Sequence, residues 1–215
     1  GARLFFNTPV LGIEEGPAGV VVRTTQGSWL ADTVIVASGS WSTRLSPELN
    51  DLLRLQVLGL TWFMPRRPEL FAPAHFPVFL RDAGPVHFFG APSFDGYAFK
   101  ACTNPEWPVF RDVSEVPHSH TREELIKIGQ RAAELFVDIN PEPVRQSVHH
   151  CAYTPDRLPV VDRSASGRVV TVAGLSGHGF KFAPKLGELA AQLATGIDDA
   201  GVDPRFALAA HLDRL

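Results

Sequence analysis

The sequence predicts an α/β (α+β) fold, with strands near both ends of the chain around a central stretch of longer antiparallel strands. Residues 20–25 and 33–37 are rich in β-branched side chains, which favour strands. Residues 55–63 and 86–90 are long apolar runs in a stretch that prolines interrupt repeatedly. This change of pattern predicts a second domain between the two end segments.

The first segment is typical of a hairpin followed by a buried strand. Strand-like residues begin at 3–6, and turns are expected at 16–17 and 26–27. Residues 33–37 form a continuous apolar run, which predicts a strand inside a sheet covered on both faces. The small residues at 38–41 would let a ligand or another backbone approach the end of this strand.

Two helices are expected. Thr121 and Glu124 form a capping box, which predicts a helix start. The apolar side chains that follow are expected on one face of this helix: Leu125, Ile128, Ala132, Leu135, Phe136 and Ile139. The last helix is expected over residues 184–195, because Pro184 suits a first helical turn and Gly196 suits a C-terminal cap.

Composition limits the classes of function. The chain has 215 residues, 45% of them hydrophobic, and a formal net charge of -3, which gives no electrostatic case for nucleic acid or an anionic membrane. No apolar run has the length of a membrane span. With only two cysteines, a disulfide framework is not implied, and a reducing, cytoplasmic location is the expectation.

Residues 174–181, with the sequence GLSGHGFK, lie between an apolar run and a helical pattern. Backbone N–H groups at such a helix start attract anions and developing negative charge. The glycine spacing is G-x-x-G-x-G, which differs from the dinucleotide fingerprint G-x-G-x-x-G. It also differs from the hydrolase elbow G-x-S-x-G, because His178 stands where the last glycine should be. An ordinary tight turn between strand and helix is the alternative.

A second segment lies just upstream, at residues 149–156, with the sequence HHCAYTPD. Together with GLSGHGFK and residues 31–42, it resembles the C-terminal part of the monomeric sarcosine oxidase family. That family includes N-methyltryptophan oxidase and pipecolate oxidase and belongs to the D-amino-acid-oxidase superfamily. The resemblance covers about residues 1–196 and is loose over residues 45–80.

The resemblance implies a partial FAD-binding Rossmann-like domain plus an antiparallel-sheet substrate-binding domain. The expected ranges are the FAD-binding domain at 1–45 and 146–199, the substrate-binding domain at 46–145, and a C-terminal tail at 200–215. No G-x-G-x-x-G stands near Gly1, so we expect a fragment of a longer protein. The alternative is a complete protein that binds no dinucleotide.

The resemblance also implies how FAD is held. The cysteine that matches Cys151 forms a thioether to the 8α position of the flavin, and His150 as a cation could favour the thiolate. A buried structural cysteine is the alternative for Cys151, and Cys102 is expected to be structural. The expected FAD contacts are Cys151, Val10, Ser38, Gly39, Trp41, Gly174, Ser176, Gly177, His178, Gly179 and Lys181.

For the substrate, the resemblance implies that Lys181 pairs with the carboxylate of an amino-acid-like amine. Lys100 would promote the reaction with oxygen, and Tyr153 matches an active-site tyrosine. Phe89 stands where sarcosine oxidase has a tyrosine, and Asn104 stands where it has a histidine. Both positions line the substrate pocket in the family, so the sequence indicates a different and more apolar amine.

The expected function is therefore oxidation of a secondary amine or N-methyl amino acid to an imine, with oxygen as acceptor and release of hydrogen peroxide, by a monomer. The alternatives are a glycine or D-amino-acid oxidase or dehydrogenase with non-covalent FAD, or a truncated non-catalytic module. A serine hydrolase built on Ser176 and His178 is disfavoured by its spacing. The histidine pairs at 118–120 and 149–150 lack a third ligand, so no metal is expected. The isolated chain is expected to be inactive.

Overall fold

The computed structural model describes residues 1–83, 86–103, 108–197 and 201–215. The chain divides into two compact units. Unit 1 contains Gly1–Leu55, Phe110–Ser114 and Cys151–Leu215, and unit 2 contains Gln56–Val109 and Glu115–His150. Each unit combines helices with a sheet that has antiparallel strands, so the α/β (α+β) prediction is confirmed. The assignment of the predicted domains to cofactor and substrate stays a prediction.

Unit 1 begins with an antiparallel sheet of three strands, β1 (Val10–Gly16), β2 (Gly19–Thr24) and β3 (Gly27–Ala31), in that order. The prediction of a strand at residues 3–6 is wrong. Asn7 has a φ of 53°, a left-handed conformation that turns the chain before β1 begins.

A second sheet of unit 1 contains β4 (Val34–Val36), β10 (Val160–Arg163) and β11 (Val169–Ala173), in the order β10-β11-β4. β4 is parallel to β11, and β10 is antiparallel to it. The prediction that residues 33–37 lie inside a sheet is wrong. Among the described strands only β11 pairs with β4, which is therefore an edge strand, and Ile35 is 44% exposed.

Helix α3 (Gly179–Ala194) packs against this second sheet. The expected start at Pro184 is wrong, because the helix begins at Gly179 and Pro184 lies inside it. Proline has no N–H group, so the carbonyl of Phe180 lacks its usual intrahelical donor. The expected end is confirmed: Gly196 has a φ of 78°, and its N–H donates to the Leu193 carbonyl at 3.1 Å.

Two apolar clusters form the core of unit 1. One joins α3 to β10 and β11: Val161, Val170, Val172, Leu186, Leu189, Ala190 and Leu193. The other surrounds the start of β10: Leu49, Leu52, Leu53, Leu55, Ala152, Val160 and Ala173. The short helices are α1 (Ser42–Leu45) and α4 (Leu208–Leu212). Short 3-10 turns across the chain lie at Gly39–Trp41, Pro47–Leu49, Pro68–Phe71, Val113–Glu115 and Pro204–Phe206.

Unit 2 is built on a five-stranded sheet in the order β6-β7-β8-β5-β9. Its strands are β5 (Arg54–Pro65), β6 (Phe79–Ala83), β7 (Val86–Ala91), β8 (Phe99–Cys102) and β9 (Ile139–Tyr153), of which β5 begins and β9 ends in unit 1. Helix α2 (Arg122–Leu135) shares its apolar core with one face of the sheet. That core contains Phe63, Phe71, Phe88, Phe99, Ala101, Ile128, Ala132 and Ile139.

The predicted capping box of α2 is confirmed, because Thr121 and Glu124 each accept a hydrogen bond from the backbone N–H of the other. The predicted helical face extends too far, because the helix ends at Leu135. Phe136 is extended, and Asp138 has a φ of 66°, which turns the chain into β9. Ile139 therefore joins the core from a strand and not from the helix.

The helices in the described part of the chain fall short of the length and apolar character that crossing a membrane requires. Among the described residues, no group of three or more His, Cys, Asp or Glu side chains is arranged to hold a metal ion.

Candidate functional site

The turn between β11 and α3 has an unusual backbone. Gly174, Ser176 and Gly177 have φ values of 61°, 51° and 79°, which lie in the left-handed region. A Cβ atom at Gly174 would lie 2.6 Å from Cγ2 of Thr154. Glycine at this position therefore allows the close approach that the turn needs.

This turn is joined to the end of β9. Leu175 pairs with Tyr153 in an antiparallel bridge, and the Ser176 N–H donates to the Ala152 carbonyl at 3.1 Å. The Ser176 hydroxyl donates to the Gly174 carbonyl at 3.0 Å and accepts from the Thr154 N–H at 3.3 Å. The two segments that carry the sequence resemblance therefore form one substructure in unit 1. The Ser176 side chain is buried in it, so this hydroxyl stabilises the turn.

Tyr153 lies beside the turn. A Cβ atom at Gly177 would lie 3.3 Å from the Tyr153 hydroxyl oxygen, and the Arg157 guanidinium lies 4.5 Å from the centre of the Tyr153 ring. Burial and the nearby Cys151 thiol raise the pKa of Tyr153, so its hydroxyl stays protonated and can donate a hydrogen bond. Sequence reasoning missed Arg157, because no motif marks it.

Cys151 is half-buried, and burial raises the pKa of its thiol. Burial also lowers the pKa of His150, with a smaller contribution from the charge of His149. A neutral His150 does not favour a thiolate, and neighbouring residues of a strand point to opposite faces. Burial thus disfavours His150 as a cation that activates Cys151, and that role stays a prediction.

The start of α3 presents positive potential to solvent. N–H groups in the first turn of a helix have no partner within the helix, and the helix dipole adds positive potential there. Gly177 and Gly179 add no side chains, and Phe180 is 99% exposed. Lys181 is also exposed, and no described carboxylate lies within ion-pair distance of it.

A cavity of about 590 Å³ lies elsewhere in unit 1 and brings together Val10, Ser38 and Trp41, with Pro9, Leu11, Arg44 and Leu45. Gly39 follows Ser38 with a φ of 58°. Arg44 lies 2.6 Å from Asp112 and holds the pKa of that carboxyl well below its usual range. The volume and apolar lining fit part of a dinucleotide.

The remaining predicted residues belong to unit 2. In the sheet, Lys100 pairs with Trp62 and with Ala91, and Phe89 pairs with Cys102. Asn104 lies outside the described residues. The structure therefore brings part of the predicted residues of unit 1 together in two groups: Tyr153 with Gly174, Ser176 and Gly177, and Trp41 with Val10 and Ser38. Lys100 and Phe89 are placed on the sheet of unit 2.

A glycine turn that opens a helix, together with a separate apolar cavity, is typical of a protein that binds a cofactor or another small ligand. Residues 1–193 match the DAO family of FAD-dependent oxidoreductases, and the chain belongs to that family. The family identified from the sequence is thereby confirmed.

Two curated relatives are similar in sequence. Monomeric sarcosine oxidase from Streptomyces avermitilis is 31% identical over 90% of this chain and 52% of its own length. N-methyl-L-tryptophan oxidase from Salmonella heidelberg is 29% identical over 91% of this chain and 52% of its own length. The crystal structure of glycine oxidase from Geobacillus kaustophilus is 22% identical and has a TM-score of 0.74, covering 97% of this chain and 53% of that one. The chain thus spans about half the length of the curated relatives that it matches.

Proposed function

We propose that the protein to which this chain belongs oxidises a secondary amine or an N-methyl amino acid to an imine. Oxygen is the acceptor, and hydrogen peroxide is released. The observation that carries the proposal is the single substructure formed by the Cys151 segment and the glycine turn at the start of α3. The names of the two curated relatives, a sarcosine oxidase and an N-methyl-L-tryptophan oxidase, support this substrate class.

FAD, when bound, supplies the acceptor for the hydride that leaves the carbon next to the amine nitrogen. The residues that would hold it are the N–H groups at the start of α3, with Gly174, Ser176, Gly177 and His178. Val10, Ser38, Gly39 and Trp41 would hold the adenine side. The fit of both groups rests on backbone and cavity geometry.

Lys181 would bind the carboxylate of the substrate. A cation in the first turn of a helix is unfavourable, because it faces the positive end of the helix dipole. Lys181 has no carboxylate partner among the described residues to offset this. A substrate carboxylate would supply the negative charge that Lys181 lacks, through a charge-assisted hydrogen bond.

Three further residues have proposed roles. Lys100 would stabilise the negative charge that develops on oxygen. Tyr153, protonated at neutral pH, would orient the substrate by donating a hydrogen bond. Phe89 offers no hydroxyl, which supports an amine with a more apolar part than sarcosine; the same argument for Asn104 rests on the sequence alone.

We also propose that FAD is attached covalently through the Cys151 sulfur. One observation favours the alternative, a glycine or D-amino-acid oxidase or dehydrogenase with non-covalent FAD. Burial raises the pKa of Cys151, and no described residue near it supplies a cation that would favour the thiolate. A truncated, non-catalytic module is the third candidate. We further propose that the protein is cytoplasmic and monomeric.

Acid precipitation tests the cofactor proposal, on the protein with its upstream coding region restored. Covalent attachment predicts yellow flavin in the pellet, its loss in Cys151→Ala, and its retention in the matched control Cys102→Ala. Flavin in the supernatant would refute covalent attachment and support the alternative with non-covalent FAD. The absence of flavin from both fractions would refute the flavoenzyme proposal and leave the non-catalytic module as the remaining candidate.

Peroxide release tests the substrate class. We expect activity with sarcosine or a larger N-methyl amino acid, and less with glycine or D-alanine. Lys181→Met should raise KM for carboxylate substrates about tenfold or more, as expected for loss of a charge-assisted hydrogen bond. The control Lys185→Met removes a lysine that already pairs with Glu188 at 2.8 Å. Equal kinetics for the two variants would refute the role of Lys181.

A further inference from the structure

Residues 201–215, which we call the tail segment, fold back onto unit 1. Helix α4 (Leu208–Leu212) packs against β10, and the Leu208 N–H donates to the Asp162 carboxylate at 2.8 Å. His211 in this helix is only 2% exposed, so the fold places a polar ring in its interior. A buried polar ring needs hydrogen-bond partners, and its partners show what the tail segment is attached to.

His211 is held through both of its ring nitrogens. Nε2 lies 3.2 Å from the Pro159 carbonyl oxygen, and Nδ1 lies 3.2 Å from a guanidinium nitrogen of Arg214. A carbonyl oxygen can only accept a hydrogen bond, and a guanidinium group can only donate one. These partners therefore assign the proton of the neutral ring to Nε2 and leave Nδ1 as an acceptor. The ring thus joins Arg214 to the turn that precedes β10.

Arg214 is attached to the same turn directly. Its guanidinium lies 2.7 Å from the Asp156 carboxylate and donates to the Arg205 carbonyl at 3.0 Å. Asp156 also accepts from the Leu158 N–H at 3.0 Å. Burial alone would raise the pKa of Asp156, but the bond from Leu158 and the basic groups of His211 and Arg214 outweigh it and lower that pKa. Asp156 is therefore charged at neutral pH and pairs with Arg214.

The turn that carries Asp156 also carries Arg157. Arg157 has a φ of 64°, a left-handed conformation that is uncommon for a residue with a Cβ atom. Its N–H donates to the Thr154 carbonyl at 3.2 Å, and the Thr154 hydroxyl donates to the Leu158 carbonyl at 2.7 Å. Such a conformation persists only where the surrounding structure holds it. The Arg157 guanidinium lies 4.5 Å from the centre of the Tyr153 ring, so the shape of the turn decides whether this contact is kept.

We propose that His211 and Arg214 are positioning residues, which act on Tyr153 through the turn at residues 154–159. Arg214 holds the Asp156 end of that turn, and His211 holds its last carbonyl. With both ends fixed, the cation of the turn stays over the Tyr153 ring, and the ring keeps one orientation. This inference rests on the proposed function, in which the Tyr153 hydroxyl orients the substrate.

Peroxide release by the FAD-loaded full-length protein, with sarcosine and N-methyl-L-tryptophan as substrates, tests the proposal. We expect Arg214→Gln to lower kcat/KM about tenfold, because a hydroxyl that is free to move orients the substrate poorly. His211→Phe, which keeps a buried ring without its nitrogens, should have a similar effect. Arg214→Lys should restore part of the activity, because it keeps the charge without the planar fork. The matched control is Arg205→Gln, since Arg205 pairs with Asp203 inside the tail segment at 2.6 Å; its kinetics should match the wild type.

A double variant separates positioning from a general loss of stability. If Arg214 acts through Arg157, then Arg157→Gln should lower kcat/KM by about the same factor, and the two substitutions together should lower it no further. Independent effects would instead multiply. Multiplied losses in the double variant, or equal kinetics for Arg214→Gln and Arg205→Gln, would overturn the positioning role.

Limited digestion with trypsin makes the result independent of turnover, because trypsin cleaves after arginine. Cleavage between Arg157 and Leu158 requires the turn to open, so we expect it to be about tenfold faster in Arg214→Gln than in the wild type and in Arg205→Gln. Equal cleavage rates in the three proteins would overturn the hold of the tail segment on the turn. Bound FAD with no oxidation of any secondary amine by the wild type would overturn the proposed function, and the digestion would still decide whether the tail segment holds the turn.

Discussion

Gly129 marks the closest approach of α2 to β9. A Cβ atom at this residue would lie 1.9 Å from the carbonyl oxygen of Pro141 and 3.0 Å from its carbonyl carbon. Both atoms are backbone, so a change of rotamer cannot relieve the clash. Because rigid backbone must move, we take the upper part of the overpacking range, about 2–3 kcal/mol, and alanine in place of a helical glycine returns about 1 kcal/mol. We expect Gly129→Ala to lower the free energy of unfolding by about 1–2 kcal/mol.

Gly187 in α3 provides the matched control. A Cβ atom there meets nothing within 4 Å, so Gly187→Ala should gain up to about 1 kcal/mol from helix propensity alone. Urea unfolding of the full-length protein, followed by circular dichroism, compares the two variants with the wild type. The two substitutions should therefore shift the midpoint in opposite directions. A Gly129→Ala protein as stable as the wild type would refute the packing argument.

Two further predictions concern the cysteines and the site turn. Burial raises the pKa of Cys102 to about 11 and also raises that of Cys151, so both should react slowly with iodoacetamide at pH 7.5 in the FAD-free protein. Mass spectrometry should show Cys151 gaining reactivity first as the pH rises; the reverse order would contradict this. Thr154→Val should lower the unfolding free energy by about 1–3 kcal/mol, because the hydroxyl donates to the Leu158 carbonyl at 2.7 Å. Thr154→Ser should retain most of the stability in the same urea titration.

The sequence predicted helix ends well where the signal is local. The reciprocal bonds of Thr121 and Glu124 lie within one turn, and so does the cap at Gly196, so neighbouring residues determine both. Pro184 misled the prediction of the start of α3, because proline is tolerated inside a helix when the flanking turns are well packed. Leu186 and Leu189 are buried against the second sheet, which supports the helix across the missing hydrogen bond.

The site was predicted in part. The motifs identified Cys151, Tyr153 and the glycine turn, and the structure joins them through bonds such as Ser176 N–H to the Ala152 carbonyl. Arg157 could not be found in this way. It reaches the Tyr153 ring through the turn that follows β9, where Arg157 itself has a φ of 64°, and the motif does not include it.

The edge position of β4 has a consequence for hydrogen exchange. One edge of β4 is bonded to β11, whose Val170 is fully buried, while no described strand pairs with the other edge. Amide hydrogens on the open edge should exchange with solvent at rates typical of a loop, next to a row of slowly exchanging amides in β11. Pairing of another strand with β4 would slow the exchange of the amide hydrogens on its open edge. Exchange at Val34–Val36 thus reports locally whether the sheet has been extended, without reference to the flavin or to activity.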